Sequence, residues 1–281
     1  MIDLHLHSSW SDGTDTPSVL LNKALSQGIK ILALTDHDST KGWDEAIRAV
    51  RADLQLVLGA EISCLSEDGI SVHMLGLLFD RENPELANML EALSDNRIPR
   101  AIRILELLRA DGYEITMEDV QEVKPEGATL GRPHIADALV KLGIVKSRDD
   151  AFADLLHNNS RYYVSQVAPT PVQAIRQIRA AGGVAVIAHP FASLRGRTLD
   201  AGSFSEMARA GLNGIEVDHR DQSVEERAVL RDIALELNLV VTGSSDYHGS
   251  GKQNVLGECT TDPGQWEALE AGANQRRVVR K

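Results

Sequence analysis

Cysteine is nearly absent. Cys64 and Cys259 are the only two in 281 residues, and they lack the paired spacing that binds zinc, so neither a disulfide framework nor a cysteine metal site is available. Both thiols read as fillers of core or surface, and a reducing compartment follows. Long apolar runs are missing too: none approaches the ~20 residues that a membrane span needs. The N-terminus has no basic stretch followed by an apolar one, so no leader is expected and a cytoplasmic address follows. Positive charge is in deficit. A formal net charge of -12 at pH 7 argues against broad coating of nucleic acid or an anionic membrane, and confines any phosphate affinity to a local basic pocket. No obligate protein partner is implied, and there are no low-complexity tracts or long repeats. What the chain does have is 43% hydrophobic residues, enough to bury a substantial core in one large domain plus a small satellite.

Short apolar, strand-like runs alternate with amphipathic helical stretches, the pattern of a parallel sheet or barrel and so of the α/β class. Seven such runs can be read, at 2–7, 31–37, 54–63, 71–79, 184–190, 214–219 and 239–245. Thr16 before Pro17 and Thr170 before Pro171 are N-caps with proline at the first helical position, and Gly28 and Gly182 mark stops. The rhythm breaks once. Residues 84–163 read as consecutive helices without a strand, one starting at Pro84 and another at Ile98, with Thr116 and Ser147 as caps and a further amphipathic segment over 133–142. The expected organisation is a barrel formed by 1–83 and 164–281, interrupted by a helical insertion domain at 84–163.

The chemistry sits at the ends of the runs. His5 and His7 are two apart on a strand, which points both imidazoles, with Asp3, to one side. Burying such a group is costly unless something satisfies it, as a divalent cation does; a polar layer with water is the blander reading. His37 ends the second run between Asp36 and Asp38, either of which reads as an imidazole-orienting carboxylate or a helix cap rather than a ligand. Glu61 closes the third run in apolar surroundings and has two oxygens with which to bridge two ions. His73 comes early in the fourth run, His189 lies in Ala188-His189-Pro190, and Asp246-Tyr247-His248 repeats the two-apart spacing. Loops at one barrel face bring such positions together. Asp12 by itself reads as a turn residue, His157 as a surface residue and His219 as a rim or supporting one.

The blocks His5-Leu6-His7, Thr35-Asp36-His37-Asp38 with Glu61, His73 with Ala188-His189-Pro190, and Asp246-Tyr247-His248 resemble the PHP family, named for polymerase and histidinol phosphatase domains. The resemblance implies a distorted (β/α)7 barrel with two or three divalent cations. His5, His7, Glu61 and Asp246 would hold one ion, Glu61 with His73 and His189 a second, and Asp12, His37 and His248 a third. Mixed imidazole and carboxylate donors suit manganese first, then iron or zinc. Such ions activate water and neutralise phosphoryl charge, with no protein nucleophile required.

Substrate choice then falls to the insertion. Arg97, Arg100 and Arg103 are spaced in threes on a predicted helix, and Arg132 and His134 begin another, where guanidinium groups and free N–H groups can hold a phosphate; a solvated basic face is the competing reading. This arrangement resembles the PHP subgroup that removes the 3′-phosphate from nucleoside 3′,5′-bisphosphates and trims short RNA from its 5′ end. The expected catalytic residues are Glu61, bridging ions, Arg132, stabilising charge, and His134, the departing ribose oxygen taking its proton either from His134 or from a metal-bound water. The substrate would be a small nucleotide, with short RNA ends as a second class. A histidinol-phosphate or other small-monoester phosphatase is the alternative, and a noncatalytic nucleotide- or metal-binding module the alternative of another kind.

Overall fold

A computed structural model describes residues 1–274 and 278–281. All seven apolar runs are strands: β1 (Ile2–Leu6), β2 (Ile31–Leu34), β3 (Gln55–Leu65), β4 (Ser71–Leu77), β5 (Val184–Ala188), β6 (Gly214–Asp218) and β7 (Val240–Gly243). They form one sheet in sequence order. A parallel bridge between Leu6 and Tyr247 and the bond from His7 N to Tyr247 O (3.0 Å) bring its two edges together into a nearly closed barrel.

One strand departs from the parallel expectation. β4 is antiparallel to both β3 and β5, because the connection at 66–70 is too short for a crossover and can only make a hairpin. Gly69, at φ 74°, supplies its left-handed corner. The reversal is what places His73 properly: an early residue of β4 lies at the same barrel end as the late residues of the parallel strands.

Helices cover the other connections: α1 (Pro17–Ser26), α2 (Trp43–Ala49), α3 (Pro84–Ala110), α4 (Met117–Val123), α5 (Arg132–Lys141), α6 (Arg148–Ala153), α7 (Pro171–Ala180), α8 (Gly202–Ala210), α9 (Val224–Glu236) and α10 (Pro263–Ala271). Among the described residues no helix is long and apolar enough to cross a membrane. Thr16 and Thr170 cap α1 and α7 as their sequences require. The two helices expected at Pro84 and Ile98 are instead the single helix α3, with Pro99 inside it. Packing pins both halves: Leu86, Leu90 and Leu93 join the barrel-covering core, while Ala101, Ile104, Leu105 and Leu108 join a second core shared with α4 to α6.

Period-two alternation separates the faces of the strands. Leu56, Leu58, Ala60 and Ile62 of β3 enter the layer beneath the helices, as do Met74 of β4 and Ile215 and Val217 of β6. Val57 and Leu75 face a separate cluster. Further along that second face come Glu61, His73 and Glu216, so the barrel is apolar toward one end and ionisable toward the other.

Candidate metal centre

Every residue of the expected ligand set arrives at that ionisable end. The Nε2 atoms of His5 and His7 lie 3.1 Å apart. Glu61 stands between the groups: its Oε2 is 3.2 Å from His5, 3.1 Å from His7 and 3.0 Å from His37 Nδ1, while Oε1 is 2.7 Å from His73 Nδ1 and 3.3 Å from His189 Nε2. Asp246 Oδ1 lies 3.5 Å from His5 and 3.4 Å from His7. Asp12 contacts His248 Nε2 at 3.3 Å and His37 Nε2 at 3.6 Å.

The grouping differs from the one the resemblance implies at His7, His37 and His189. Donor atoms converge as His5, His7, Glu61 and Asp246; as His7, Asp12, His37 and His248; and as His37, Glu61 and His73, with His189 set instead beside His5 and Glu216. His37 therefore belongs to two groups.

The donor set fits divalent cations. His37 Nδ1, His73 Nδ1 and His248 Nε2 are buried and make no in-line hydrogen bond, although each lies within 3.3 Å of a carboxylate oxygen. Atoms aimed at a shared point rather than at one another behave in this way, and leaving them unsatisfied in a dry core would be costly. The protonation states agree. Burial raises the carboxyl groups of Asp12, Glu61 and Asp246, but the adjoining imidazoles and one lysine outweigh it and hold all three well below the usual range: His248 and His37 for Asp12, His37, His73 and His5 for Glu61, Lys252 and His248 for Asp246. Burial pushes His37 down to about 3 and His248 to about 4, and with Arg195 keeps His189 well below its ordinary value. For His5 and His7 burial also pulls downward. Glu216, Glu61 and Asp246 overcome it at His5, and Asp246 and Glu61 lift His7 to about 9. A proton and a cation compete for those two imidazoles.

Supporting contacts fix the ligands. Glu216, 0% exposed, lies 3.1 and 3.3 Å from His5 Nδ1 and accepts His189 N at 2.9 Å, which leaves His5 Nε2 facing the cage. Glu216 is absent from the expected ligand set, although an acid within an apolar run is the same signal that marks Glu61. Asp36 accepts Ser8 N (2.8 Å) and Ser11 Oγ (2.7 Å), and Asp38 accepts Ser63 N (2.7 Å); both are supports. His219 is buried, 3.5 Å from Asp246 Oδ2. Arg195 and Lys252, which no sequence motif marks, each reach that same oxygen at 2.9 Å.

A cleft of about 530 Å³ opens onto the cage, lined by Asp12, His37, His73 and His189 on one side and by Arg97, Arg100 and Arg132 on the other. Arg132 lies between the rings of Phe152 and Tyr163, at 5.5 and 5.6 Å, and Arg100 also meets Tyr163. Among the described residues neither pairs with a carboxylate; their partners are Leu156 O and Asn158 Oδ1 for Arg132, and Val164 O and Gln166 Oε1 for Arg100. Burial lowers both, Arg100 to about 9 with Arg132 and Arg97 adding to the effect.

Three of the expected substrate contacts are placed otherwise. Arg103 does not line the cleft: it is exposed and pairs with Glu106 at 2.8 Å, because a step of about six residues at 3.6 per turn leaves it a third of a turn out of phase with Arg97. His134 is 1% exposed and not among the lining residues. Its Nδ1 accepts the Gly131 N–H at 3.0 Å, bracing the start of α5. Arg97 lines the cleft but is bound to Asp38. His157 is half-buried at the cleft wall.

The PHP domain profile matches residues 3–162. The sequence is 34% identical over 249 residues to a 5′-3′ exoribonuclease of Haemophilus influenzae, covering 88% of this chain and 89% of that protein. It is also 34% identical over 252 residues to a 3′,5′-nucleoside bisphosphate phosphatase of Chromobacterium violaceum, covering 89% and 88%. A solved structure from Bifidobacterium adolescentis, described as a metal-dependent phosphoesterase, superimposes with a TM-score of 0.92 at 40% identity over 97% of this chain and 96% of that one.

Proposed function

Because this chain belongs to the PHP domain family and is a metal-dependent hydrolase of phosphoric esters, we propose that it removes the 3′-phosphate of nucleoside 3′,5′-bisphosphates and trims short RNA from the 5′ end. One observation carries the substrate class: Arg100 and Arg132, two half-buried guanidinium groups with no carboxylate partner among the described residues, share a cleft with the ligand cage. A charge that burial penalises is relieved by a bound anion, and a planar fork on an aromatic ring suits phosphate.

The division of labour follows from position. Arg132 and Arg100 take the phosphate that is not cut, and the cage takes the one that is. Two or three divalent cations, manganese foremost given the imidazole and carboxylate donors, would be held by His5, His7, Asp12, His37, Glu61, His73, His189, Asp246 and His248; they supply water activation and neutralisation of phosphoryl charge. Glu61 gives one oxygen to each half of the cage and keeps the halves in register. Arg132 steadies charge from the cleft wall. His134 supports this indirectly by holding the turn that carries Arg132. Cys64 and Cys259 are both free, in keeping with a cytoplasmic enzyme.

The test is phosphate release by manganese-loaded protein with bound metal quantified. Adenosine 3′,5′-bisphosphate should outpace histidinol phosphate, losing its 3′-phosphate; the reverse ranking removes the substrate assignment. Nucleotide binding without phosphate release would leave a binding module instead. Glu61→Ala should lose both bound metal and turnover.

A further inference from the structure

Arg97 is 8% exposed on α3, and its hydrogen bonds go to three separate parts of the protein. Nε and Nη2 donate to Asp38 Oδ2 at 2.9 and 2.5 Å, Nη2 also donates to Ser63 Oγ at 3.0 Å, and Nη1 donates to Leu130 O at 3.1 Å. A guanidinium has five N–H groups, so little of this one is left for a ligand.

Each partner adjoins a part of the site. Asp38 follows His37, has φ 50°, and its N–H donates to Glu61 O at 2.9 Å. Ser63 lies two residues beyond Glu61 on β3, and its hydroxyl bonds both Asp38 (2.9 Å) and Arg97. Leu130 precedes Gly131 and Arg132, where α5 begins.

We propose that Arg97 is a positioning residue, a strut that holds the His37–Glu61 part of the cage and the Arg132 turn of the helical insertion in one fixed relation. Metal binding in the barrel and anion binding at α5 are thereby mechanically joined. Only the anion-binding half of this statement rests on the function proposed above; the metal half stands without it.

The experiment uses the whole metal-stripped chain, titrated with manganese by calorimetry, in wild type, Arg97→Lys, Arg97→Met, and the double variant Arg97→Met/Asp38→Asn. Loss of a contact that supports a metal ligand typically weakens binding or activity by roughly 10–100-fold, and that loss is expected for Arg97→Met. Turnover of adenosine 3′,5′-bisphosphate and of p-nitrophenyl phosphate, which has no second phosphate, should fall together, with partial recovery in Arg97→Lys. The double variant should be no worse than Arg97→Met alone. It also leaves no lone buried charge, so it remains measurable if the single variant does not fold. Unchanged manganese affinity, with only the bisphosphate KM raised, overturns the strut and makes Arg97 a substrate contact; additive losses in the double variant overturn it as well. If wild type hydrolyses neither ester, the manganese titration still decides.

Discussion

His134 shows how a single side chain can resemble a proton donor in sequence and behave as a brace in the fold. It is held down to about 4, first by burial, with Arg148 adding to the effect and Asp12 opposing it. The unfolded chain therefore binds a proton near pH 6.5 that the folded chain refuses until about 4, and stability rises with pH across that window. The contribution is complete above about 6.5 and is lost as pH falls toward 4, up to about 3 kcal/mol at the lower end. Glutamine at the same helix position can make the same reach back to the Gly131 N–H without titrating. Metal-free His134→Gln should accordingly lose less stability than wild type between pH 6.5 and 4 in urea melts; parallel slopes would show that His134 is not the buried neutral base described here. The residue types at the site were legible in advance because chelation limits the menu to imidazoles and carboxylates. Their contacts were not. Whether Arg97 faces a ligand or Asp38 depends on a partner 59 positions away, and no local pattern carries that information.

At the scale of elements, periodicity located all seven strands but is blind to direction, so only the length of the 66–70 connection reveals that β4 is reversed. Pro99 misled in the opposite sense. A proline inside a helical pattern normally ends it, yet α3 continues because its two halves are anchored in different cores. The ring leaves Asp95 O without its helical N–H donor, a penalty of about 3 kcal/mol in a helix interior, partly offset by about 1 kcal/mol of rigidity lent to the unfolded chain. Pro99 is exposed, so alanine meets no packing obstacle. Pro99→Ala should stabilise metal-free protein by about 1–2 kcal/mol in urea unfolding. A decrease would mean that Arg97 and Arg100, on either side of it, need a bend that alanine removes.

For the whole molecule, the cage gathers Asp12, Glu61 and Asp246 with six imidazoles, four of them buried, in a chain already carrying a net charge of -12. Cations that bind only the folded form stabilise it by mass action: about 2.7 kcal/mol at a hundredfold excess over Kd. At about 2–4 °C per kcal/mol for proteins of this size class, one manganese site held at that excess should raise Tm by about 5–10 °C. Among the described residues the candidate ligand groups include none from the helical core, but α3 contributes Leu86, Leu90 and Leu93 to the barrel core and Ile104, Leu105 and Leu108 to the helical one. Stabilising the barrel therefore holds the helix on which the second core is built. Far-UV melting should move upward as one transition when manganese is added and return when it is chelated. Two separating transitions, with only the upper one responsive to metal, would show that the helical core melts by itself and that α3 transmits nothing between barrel and insertion.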